Sequence, residues 1–599
     1  MNQEKISYFK VASRILSASF KAAPLWIIAD SLGMILSSSS FVLIVHALQH
    51  MFDTINHTIQ NGTNVVSLLP TIFITVAVLI FNELMNAVCN FLAGPTSLRI
   101  KGAFREKIHE KVSKLPALDF ENTETLDCIQ KAKEGADNGI ELYHSVSTLL
   151  TFYGPYFIIM GIYFYSLRPV LVWCIFLMFV PLLISQIVKE KVYTKLVDES
   201  APIERKVNYY ENEMYKKEYI KENRLLGIYS FIRDKYESEL ALFCSKRWSS
   251  VKKVQMIEIG LRALTLLGYF GVIVLFVSSL IRGYITIGAF AAVFSSVNIM
   301  IAFMDDAVSN YLGDMLGIYG SLRSLVYFLD LPEEDGMDED INYSEGINIS
   351  NVSFKYPNSN IYALKNISLH IKEGETIAIV GENGAGKTTL VKIISGILLP
   401  TAGNVLINDT PISSYSKKSR FKYVSGVVQK FGKYKILIKD NVHLSDPNNL
   451  IDEEKVKQAL YSADFKLDSE KITGGLNTML SRDFGGLDLS GGEWQRIALA
   501  RGIYKDSKFI MLDEPTSAID PIEESLIYKK FRDIAKGKIA IIVTHRLGAT
   551  QIADRIVVLD GGKIIETGTH EQLLNSGGKY SVMFKAQSKW YSDVKTEIV

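Results

Sequence analysis

The sequence has few cysteines and almost no net charge, and these two scarcities exclude several classes of protein. The four cysteines, Cys89, Cys128, Cys174 and Cys244, show no C-x-x-C spacing. Neither a cysteine metal site nor a disulfide framework is therefore expected, and we expect free thiols in a reducing compartment. A formal net charge of +1 provides no basic surface for binding nucleic acid. We predict no nucleic-acid partner.

Basic residues are absent from two segments. The loop 49–67 contains no Lys or Arg, whereas segments 97–114 and 189–253 are rich in both. Cytosolic connections of membrane proteins are enriched in Lys and Arg, so both basic segments and both termini are predicted to be cytosolic. Segment 329–348 also lacks Lys and Arg but is rich in Asp and Glu. It is predicted to be a solvated acidic linker; a surface that binds a regulatory tail is the alternative.

Apolar residues are concentrated before about residue 310. The chain is 48% hydrophobic, and its mean hydropathy is +0.15. A helix needs about 20 apolar residues to cross a bilayer. Six runs approach that length, which makes buried core helices a weaker interpretation than six transmembrane helices: Pro24–Leu48, Leu68–Ala93, Ser145–Leu167, Val170–Val188, Ile257–Ile281 and Gly288–Tyr311. Asp30 and Ser37–Ser40 interrupt the first run.

A glycine-rich loop near residue 385 fits the pattern G-x-x-x-x-G-K-[ST]. It follows the apolar run Thr376–Val380 and precedes the helical pattern Leu390–Ile394. Backbone N–H groups of such a loop bind phosphate oxygens, while its lysine reaches the β- and γ-phosphates. The sequence therefore predicts an ATP site formed by Gly381, Glu382, Asn383, Gly384, Ala385, Gly386, Lys387, Thr388 and Thr389.

Acidic residues follow another apolar run, Phe509–Leu512. A run without alternation is typical of a buried parallel strand, and ligand-binding residues lie at the carboxyl ends of such strands. Asp513 is predicted to hold Mg²⁺ with the Thr388 hydroxyl, and Glu514 to polarise the attacking water. His545 follows the apolar run Ile539–Thr544 and is predicted to contact the same phosphate.

Together with Leu489-Ser490-Gly491-Gly492-Glu493, these motifs resemble the nucleotide-binding domain of ATP-binding-cassette (ABC) transporters. The resemblance implies that Tyr356 stacks on adenine and that Gln429 links Mg²⁺ to the membrane domain. It further implies that Ser490, Gly491, Gly492 and Glu493 complete the ATP site of another subunit, and that Ser517–Asp520 touches that subunit. A homodimer with two working sites is expected. One departure is Arg482–Gly486, which stands where many exporters have a Gly-Glu-Arg-Gly-like stretch.

The resemblance extends over nearly the whole chain and implies an exporter fold. That fold class is a membrane all-α domain of six long transmembrane helices, followed by an α/β P-loop ABC ATPase domain. The predicted domains are 1–328, the linker 329–348 and 349–599, with the ATPase in the cytosol and the membrane domain in the plasma membrane. A near-continuous helical pattern from Leu68 to Ser113 would extend about 70 Å, more than twice the hydrocarbon thickness. The pattern stops at Leu115-Pro116, and the turns at Asp119–Asp127 and Glu218–Arg224 are predicted to contact the ATPase.

The cargo is predicted from polar residues in the spans and from a weaker resemblance. Asn82, Asn86 and Asn90 recur every four residues, and they are predicted either to line a cavity or to join helices. Arg262, Asp305 and Asp306 are further lining candidates. Residues 489–496, with Gly403–Val405 and Gln429–Phe431, resemble exporters of lanthipeptides and related peptides. A peptide cargo is therefore expected, with lipid or drug export and an ATP-gated channel as alternatives.

Overall fold

The computed structural model describes residues 7–62, 64–216, 219–357, 359–514 and 521–596. The chain forms two compact units. The first comprises residues 1–113 and 127–331, and the second comprises 114–126 and 332–599. The short segment 114–126 therefore belongs to the second unit, although long helices of the first unit precede and follow it. The predicted domain boundaries at residues 328 and 349 stay predictions.

The first unit is helical. Its α-helices are α1 (Tyr8–Ala22), α2 (Pro24–Asn61), α3 (Leu69–Lys114), α4 (Thr123–Thr148), α5 (Gly154–Leu167), α6 (Pro169–Tyr215), α7 (Ile220–Leu226), α8 (Tyr229–Ile281), α9 (Ile287–Asp305), α10 (Gly313–Gly317) and α11 (Tyr319–Leu329). Two π-helical segments, Leu149–Tyr153 and Asp306–Leu312, join α4 to α5 and α9 to α10. The predicted long helix ending near Ser113 is α3.

Five helical stretches among the described residues are long and apolar enough to cross a membrane. They are Pro24–Asn61, Val65–Lys114, Thr123–Leu167, Tyr229–Ile281 and Ile287–Leu329. These contain five of the six predicted runs. The remaining run, Val170–Val188, lies in α6, where several side chains, including that of Cys174, are outside the described part. A sixth span there stays a prediction.

Several polar residues within these helices are hydrogen-bonded inside the unit. Asp30 has no exposed surface and accepts a hydrogen bond from Tyr143 at 3.2 Å. Ser40, also fully buried, donates to the Ser37 carbonyl at 2.6 Å and accepts from Asn82. The polar interruptions in the first predicted span therefore do not break α2, and the bonds of Asp30 Oδ2 and Ser40 show that part of this polar surface is satisfied within α2 or by neighbouring helices.

The second unit contains two sheets among its described residues. The strands are β1 (Ile347–Lys355), β2 (Tyr362–Ile371), β3 (Thr376–Gly381), β4 (Ala402–Ile407), β5 (Thr410–Pro411), β6 (Val424–Val427), β7 (Phe509–Asp513), β8 (Ile539–Val543), β9 (Arg555–Asp560) and β10 (Lys563–Gly568). The first sheet is antiparallel, in the order β2-β1-β4-β5. The second has the order β10-β9-β3-β8-β7-β6 and is parallel except at β10.

Helices cover the parallel sheet. They are α12 (Lys387–Ile394), α13 (Lys417–Lys422), α14 (Ile438–His443), α15 (Glu453–Ser462), α16 (Gly491–Tyr504), α17 (Pro521–Ala535), α18 (His570–Asn575) and α19 (Lys579–Thr596). Every residue of β3, β7 and β8 is buried, as expected for strands covered on both faces. These three strands are neighbours, so their carboxyl ends meet at one edge of the sheet.

The acidic segment is integrated into the second unit. Glu334, of which 13% of the side chain is exposed, pairs with Arg420, of which 1% is exposed. Asp340 pairs with Lys422 at 2.6 Å, and Tyr343 is buried in the core. The bases that neutralise these carboxylates belong to α13, about 80 residues farther along the chain, so composition around residue 340 did not predict the pairing.

Candidate functional site

The glycine-rich loop connects β3 to α12 in a conformation that requires glycine. Gly381 and Gly386 have φ of 152° and 98°. A Cβ atom at Gly381 would lie 2.3 Å from the Leu559 carbonyl oxygen, and one at Gly386 would lie 2.7 Å from that of Ala363. Both glycines are thus needed to wrap the chain around a compact group. The backbone of the loop fits a phosphate.

Lys387 is the first residue of α12 and is buried, with 6% of its surface exposed. Its ammonium group donates to the carbonyls of Gly381 and Glu382 at 2.9 and 3.1 Å. Burial lowers the pKa of Lys387, while Glu514 and Asp513 oppose that shift. A cation held inside the loop in this way is suited to binding a polyphosphate.

Thr388 and Asp513 come together at the carboxyl edge of the sheet. The Thr388 hydroxyl donates to Asp513 Oδ1 at 3.2 Å. Burial raises the pKa of Asp513, and the bond from Thr388 acts in the opposite direction. Hard divalent cations prefer oxygen ligands of these two kinds, so the pair fits the predicted Mg²⁺ site.

Glu514 is joined to two other predicted residues. Its Oε2 accepts from the Gln429 amide at 3.0 Å, and its Oε1 lies 3.1 Å from His545 Nδ1. Glu514 has φ of 51°, and its N–H donates to the Val543 carbonyl at 3.0 Å. A left-handed conformation is costly for a residue other than glycine and concentrates at functional sites. The backbone thus directs this carboxylate towards Gln429 and His545.

Tyr356 follows β1 and contacts the loop helix. Its hydroxyl lies 3.1 Å from the Thr389 hydroxyl, and its ring packs edge-to-face on Phe354 with centroids 4.9 Å apart. The Tyr356 ring is thereby fixed beside the cavity, where it offers an aromatic face on which a planar base could stack.

A cavity of about 700 Å³ gathers most of the predicted residues. It is lined by Tyr356, Ala363, Asn383, Gly384, Gly386, Lys387, Thr388, Thr389, Gln429, Glu514, His545 and Gln587. Gly381, Glu382, Ala385 and Asp513 are not among these lining residues. Sequence reasoning missed Ala363 and Gln587; Gln587 lies in the C-terminal helix α19, where no motif marks it.

The signature residues lie outside this cavity. Ser490 is exposed and caps α16, accepting from the Glu493 N–H at 3.3 Å, while Glu493 accepts from the Ser490 N–H at 2.7 Å. Burial acts to raise the pKa of Glu493, but the two bonds with Ser490, with Lys471 and Arg496 nearby, hold it below its usual value. Among the described residues, none of 490–493 lines the cavity at the phosphate loop. Asp520 and the rest of Ser517–Asp520 lie outside the described residues.

The polar residues predicted in the spans divide into two groups. Asn82 is buried and donates to Ser40 at 2.7 Å, so it joins α3 to α2, whereas Asn86 and Asn90 are exposed. A four-residue step rotates 400°, so each asparagine is displaced by about 40° from the one before, and Asn82 can face α2 while Asn86 and Asn90 stay exposed. For Asn82 the structure therefore supports the second alternative, a residue that joins two helices, rather than a lining residue.

The other lining candidates, Arg262, Asp305 and Asp306, each have a charged or polar neighbour. Arg262 Nη2 lies 3.4 Å from Asp305 Oδ2 and 2.9 Å from Glu258 Oε1. Asp306 accepts from Tyr153 and, at 2.5 Å, from Asn310. Each charge thus has a polar partner within the unit.

Comparisons with known proteins agree with these features. Residues 364–517 match the family model of the ABC transporter domain. The subtilin transport ATP-binding protein SpaT of Bacillus subtilis is 29% identical over 542 residues, covering 87% of this chain and 86% of that protein. The nisin transport ATP-binding protein NisT of Lactococcus lactis is 38% identical over 250 residues, 41% of each chain.

The chain is also similar to a lipid flippase in sequence and to a solved ABC exporter in structure. An ATP-dependent lipid A-core flippase of Neisseria gonorrhoeae is 35% identical over 320 residues, covering 53% of this chain and 50% of the flippase. The solved structure of a bacterial Atm1-family ABC exporter with ATP bound has a TM-score of 0.75 at 19% identity. It covers 95% of this chain and 99% of that one. At this identity the match shows a shared fold alone.

Proposed function

We propose that this ABC exporter, which joins a membrane domain and an ABC transporter ATPase domain in one polypeptide, exports a peptide from the cytosol across the plasma membrane. The similarity to the subtilin transport protein, which covers 87% of this chain, supports a peptide cargo, since subtilin and nisin are peptides. The flippase similarity covers 53% of the chain, so lipid export is the second candidate.

ATP hydrolysis drives the transport, and the cavity suggests a role for each residue. Lys387 would bind the β- and γ-phosphates, and Tyr356 would stack on adenine. Thr388, Asp513 and Gln429 would hold Mg²⁺, which neutralises charge on the phosphates when bound. Glu514 would orient and deprotonate the attacking water, with His545 placed beside it at 3.1 Å. Each role rests on a side chain that lines the cavity or bonds to one that does.

The working unit is proposed to be a homodimer. The cavity of one chain has no lining residue from 490–493, yet Ser490 is exposed at the N-terminus of α16. The N-terminus of a helix attracts anions because its N–H groups are unpaired and its dipole is positive. A second copy would bring this helix end to the γ-phosphate and complete the site.

Crosslinking between subunits tests this arrangement. In a background with Cys89, Cys128, Cys174 and Cys244 replaced, Ser490→Cys and Asn383→Cys should form a disulfide between subunits when ATP is added. Asn383 is preferable to Gly384, since Gly384 has φ of 81° and a side chain there is strained. Asn360→Cys, at an exposed position that does not line the cavity, replaces Asn383→Cys in the control. Absence of an ATP-dependent crosslink would refute the shared site.

Transport into inverted vesicles tests the cargo. Cytosolic peptides should become protected from protease inside vesicles in the presence of ATP, and Glu514→Gln vesicles should accumulate none. A fluorescent lipid offered to the same vesicles separates the second candidate. Peptide stimulation of ATPase without lipid flipping is expected; lipid flipping with no response to a peptide panel would replace the proposal.

A further inference from the structure

The C-terminal helix α19 is tied to the phosphate loop at its first residue. Lys579 Nζ lies 3.1 Å from Glu382 Oε1, a residue of the loop, and 2.9 Å from Asp560 Oδ2 at the end of β9. The backbone N–H groups of Lys579 and Tyr580 donate to the carboxylate of Glu566 in β10. The start of α19 is therefore anchored to the sheet and to the loop together.

The next residue ties α19 to the segment that follows His545. Tyr580 has no exposed surface, and its hydroxyl lies 2.7 Å from both Thr550 Oγ1 and His570 Nδ1. Thr550 belongs to the short helix Leu547–Ile552, which begins two residues after His545. The docking of α19 is thus secured by buried contacts that involve no residue of the cavity.

Gln587 lies two turns beyond Tyr580 and performs no part of that docking. Its side chain lines the cavity, and its amide Nε2 donates to the backbone carbonyl of His545 at 2.5 Å. His545 is half exposed, with 47% of its side chain accessible, so packing alone does not fix its ring. A hydrogen bond to its carbonyl restricts the peptide plane and, with it, the direction of the ring towards Glu514.

We propose that Gln587 is a positioning residue for His545. Through this side chain, helix α19 keeps His545 at a fixed position relative to the phosphate loop. This inference rests on the proposed role of His545 in ATP hydrolysis. It adds to the site a residue about 40 positions beyond the motifs, on an element that none of them predicts. Gln587 acts through His545, by way of the hydrogen bond to the backbone carbonyl of that residue.

Steady-state ATPase of the full-length protein in nanodiscs tests the role. Gln587→Met keeps the length of the side chain but has no N–H donor. A lost neutral hydrogen bond corresponds to a decrease in kcat of about 3- to 10-fold, with KM for ATP unchanged. Gln587→Lys, which retains a donor, should restore most of the rate. The control is Lys585→Met, an exposed position on the same helix, which should keep the wild-type rate.

A double-mutant cycle separates positioning from general stability. If Gln587 acts through His545, adding Gln587→Met to His545→Ala should lower the residual rate no further. An equal decrease in both backgrounds, a wild-type rate for Gln587→Met, or equal losses for Gln587→Met and Gln587→Lys would overturn the inference. A wild-type rate for His545→Ala would instead refute the proposed role of the histidine itself.

Discussion

In the ATPase unit, polar side chains from separate segments meet in one cavity, whereas in the helical unit they form small groups of two or three partners. Lys387, Gln429, Glu514 and His545 line the same space of about 700 Å³. Asn82 bonds to Ser40, and Arg262 lies between Glu258 and Asp305. The difference follows from the surroundings of each unit. A parallel sheet brings the ends of neighbouring strands together, while a bilayer penalises any polar group without a partner.

A single substitution should reduce activity more in the ATPase cavity than among the polar groups of the helical unit. Glu514→Gln is expected to lower ATP turnover by about 10²–10⁴-fold, because the amide cannot accept the proton of the attacking water. Nucleotide binding should persist, since Lys387 and the loop backbone are intact. ATPase rates and fluorescent-nucleotide binding measure the two effects. Glu373→Gln, an exposed carboxylate in the turn before β3, is the control; half the wild-type rate in Glu514→Gln would exclude the general-base role.

The difference between strand ends and packed helices also determined which residues could be predicted from the sequence. The phosphate loop, Asp513 and His545 were predictable because each follows an apolar strand, and adjacent parallel strands end together. Gln587 was not, because its position depends on how α19 packs after the last strand. The partner of Asn82 was likewise hidden, since a polar residue in a span looks the same whether it faces a cavity or a neighbouring helix.

Small groups of paired charges also occur in the ATPase unit away from its cavity, where Glu334 pairs with Arg420 and lies 3.5 Å from Lys417 Nζ. Glu334→Gln should destabilise the unit by about 3–5 kcal/mol, because Arg420 would keep a buried charge without its counterion. Arg420 retains a bond to the Gly396 carbonyl at 2.9 Å, which does not neutralise it. Thermal unfolding in detergent measures the loss.

Asp340→Asn is the matched control for that change. It removes a carboxylate from the same acidic segment, but its pair with Lys422 is exposed, so little change in melting temperature is expected. Equal effects of the two substitutions would mean that burial does not distinguish the pairs. The segment would then contribute to stability only through its total charge.

The smallest expected effects lie in the helical unit. Of the three asparagines in α3, Asn82 is buried and hydrogen-bonded, whereas Asn86 and Asn90 are exposed. Asn82→Leu should lower the melting temperature slightly, because a hydrogen bond between membrane helices contributes about 0.6 kcal/mol on average. It should not add to the effect of Ser40→Ala, since both changes remove the same 2.7 Å bond.

The double variant Asn86→Leu/Asn90→Leu should leave the melting temperature unchanged. It should reduce the stimulation of ATPase by peptide, because exposed amides can both donate to and accept from a peptide backbone. If Asn86→Leu with Asn90→Leu left peptide stimulation intact, these residues would have no part in cargo binding. If Asn82→Leu alone abolished that stimulation at normal stability, the pair with Ser40 would have to open during transport.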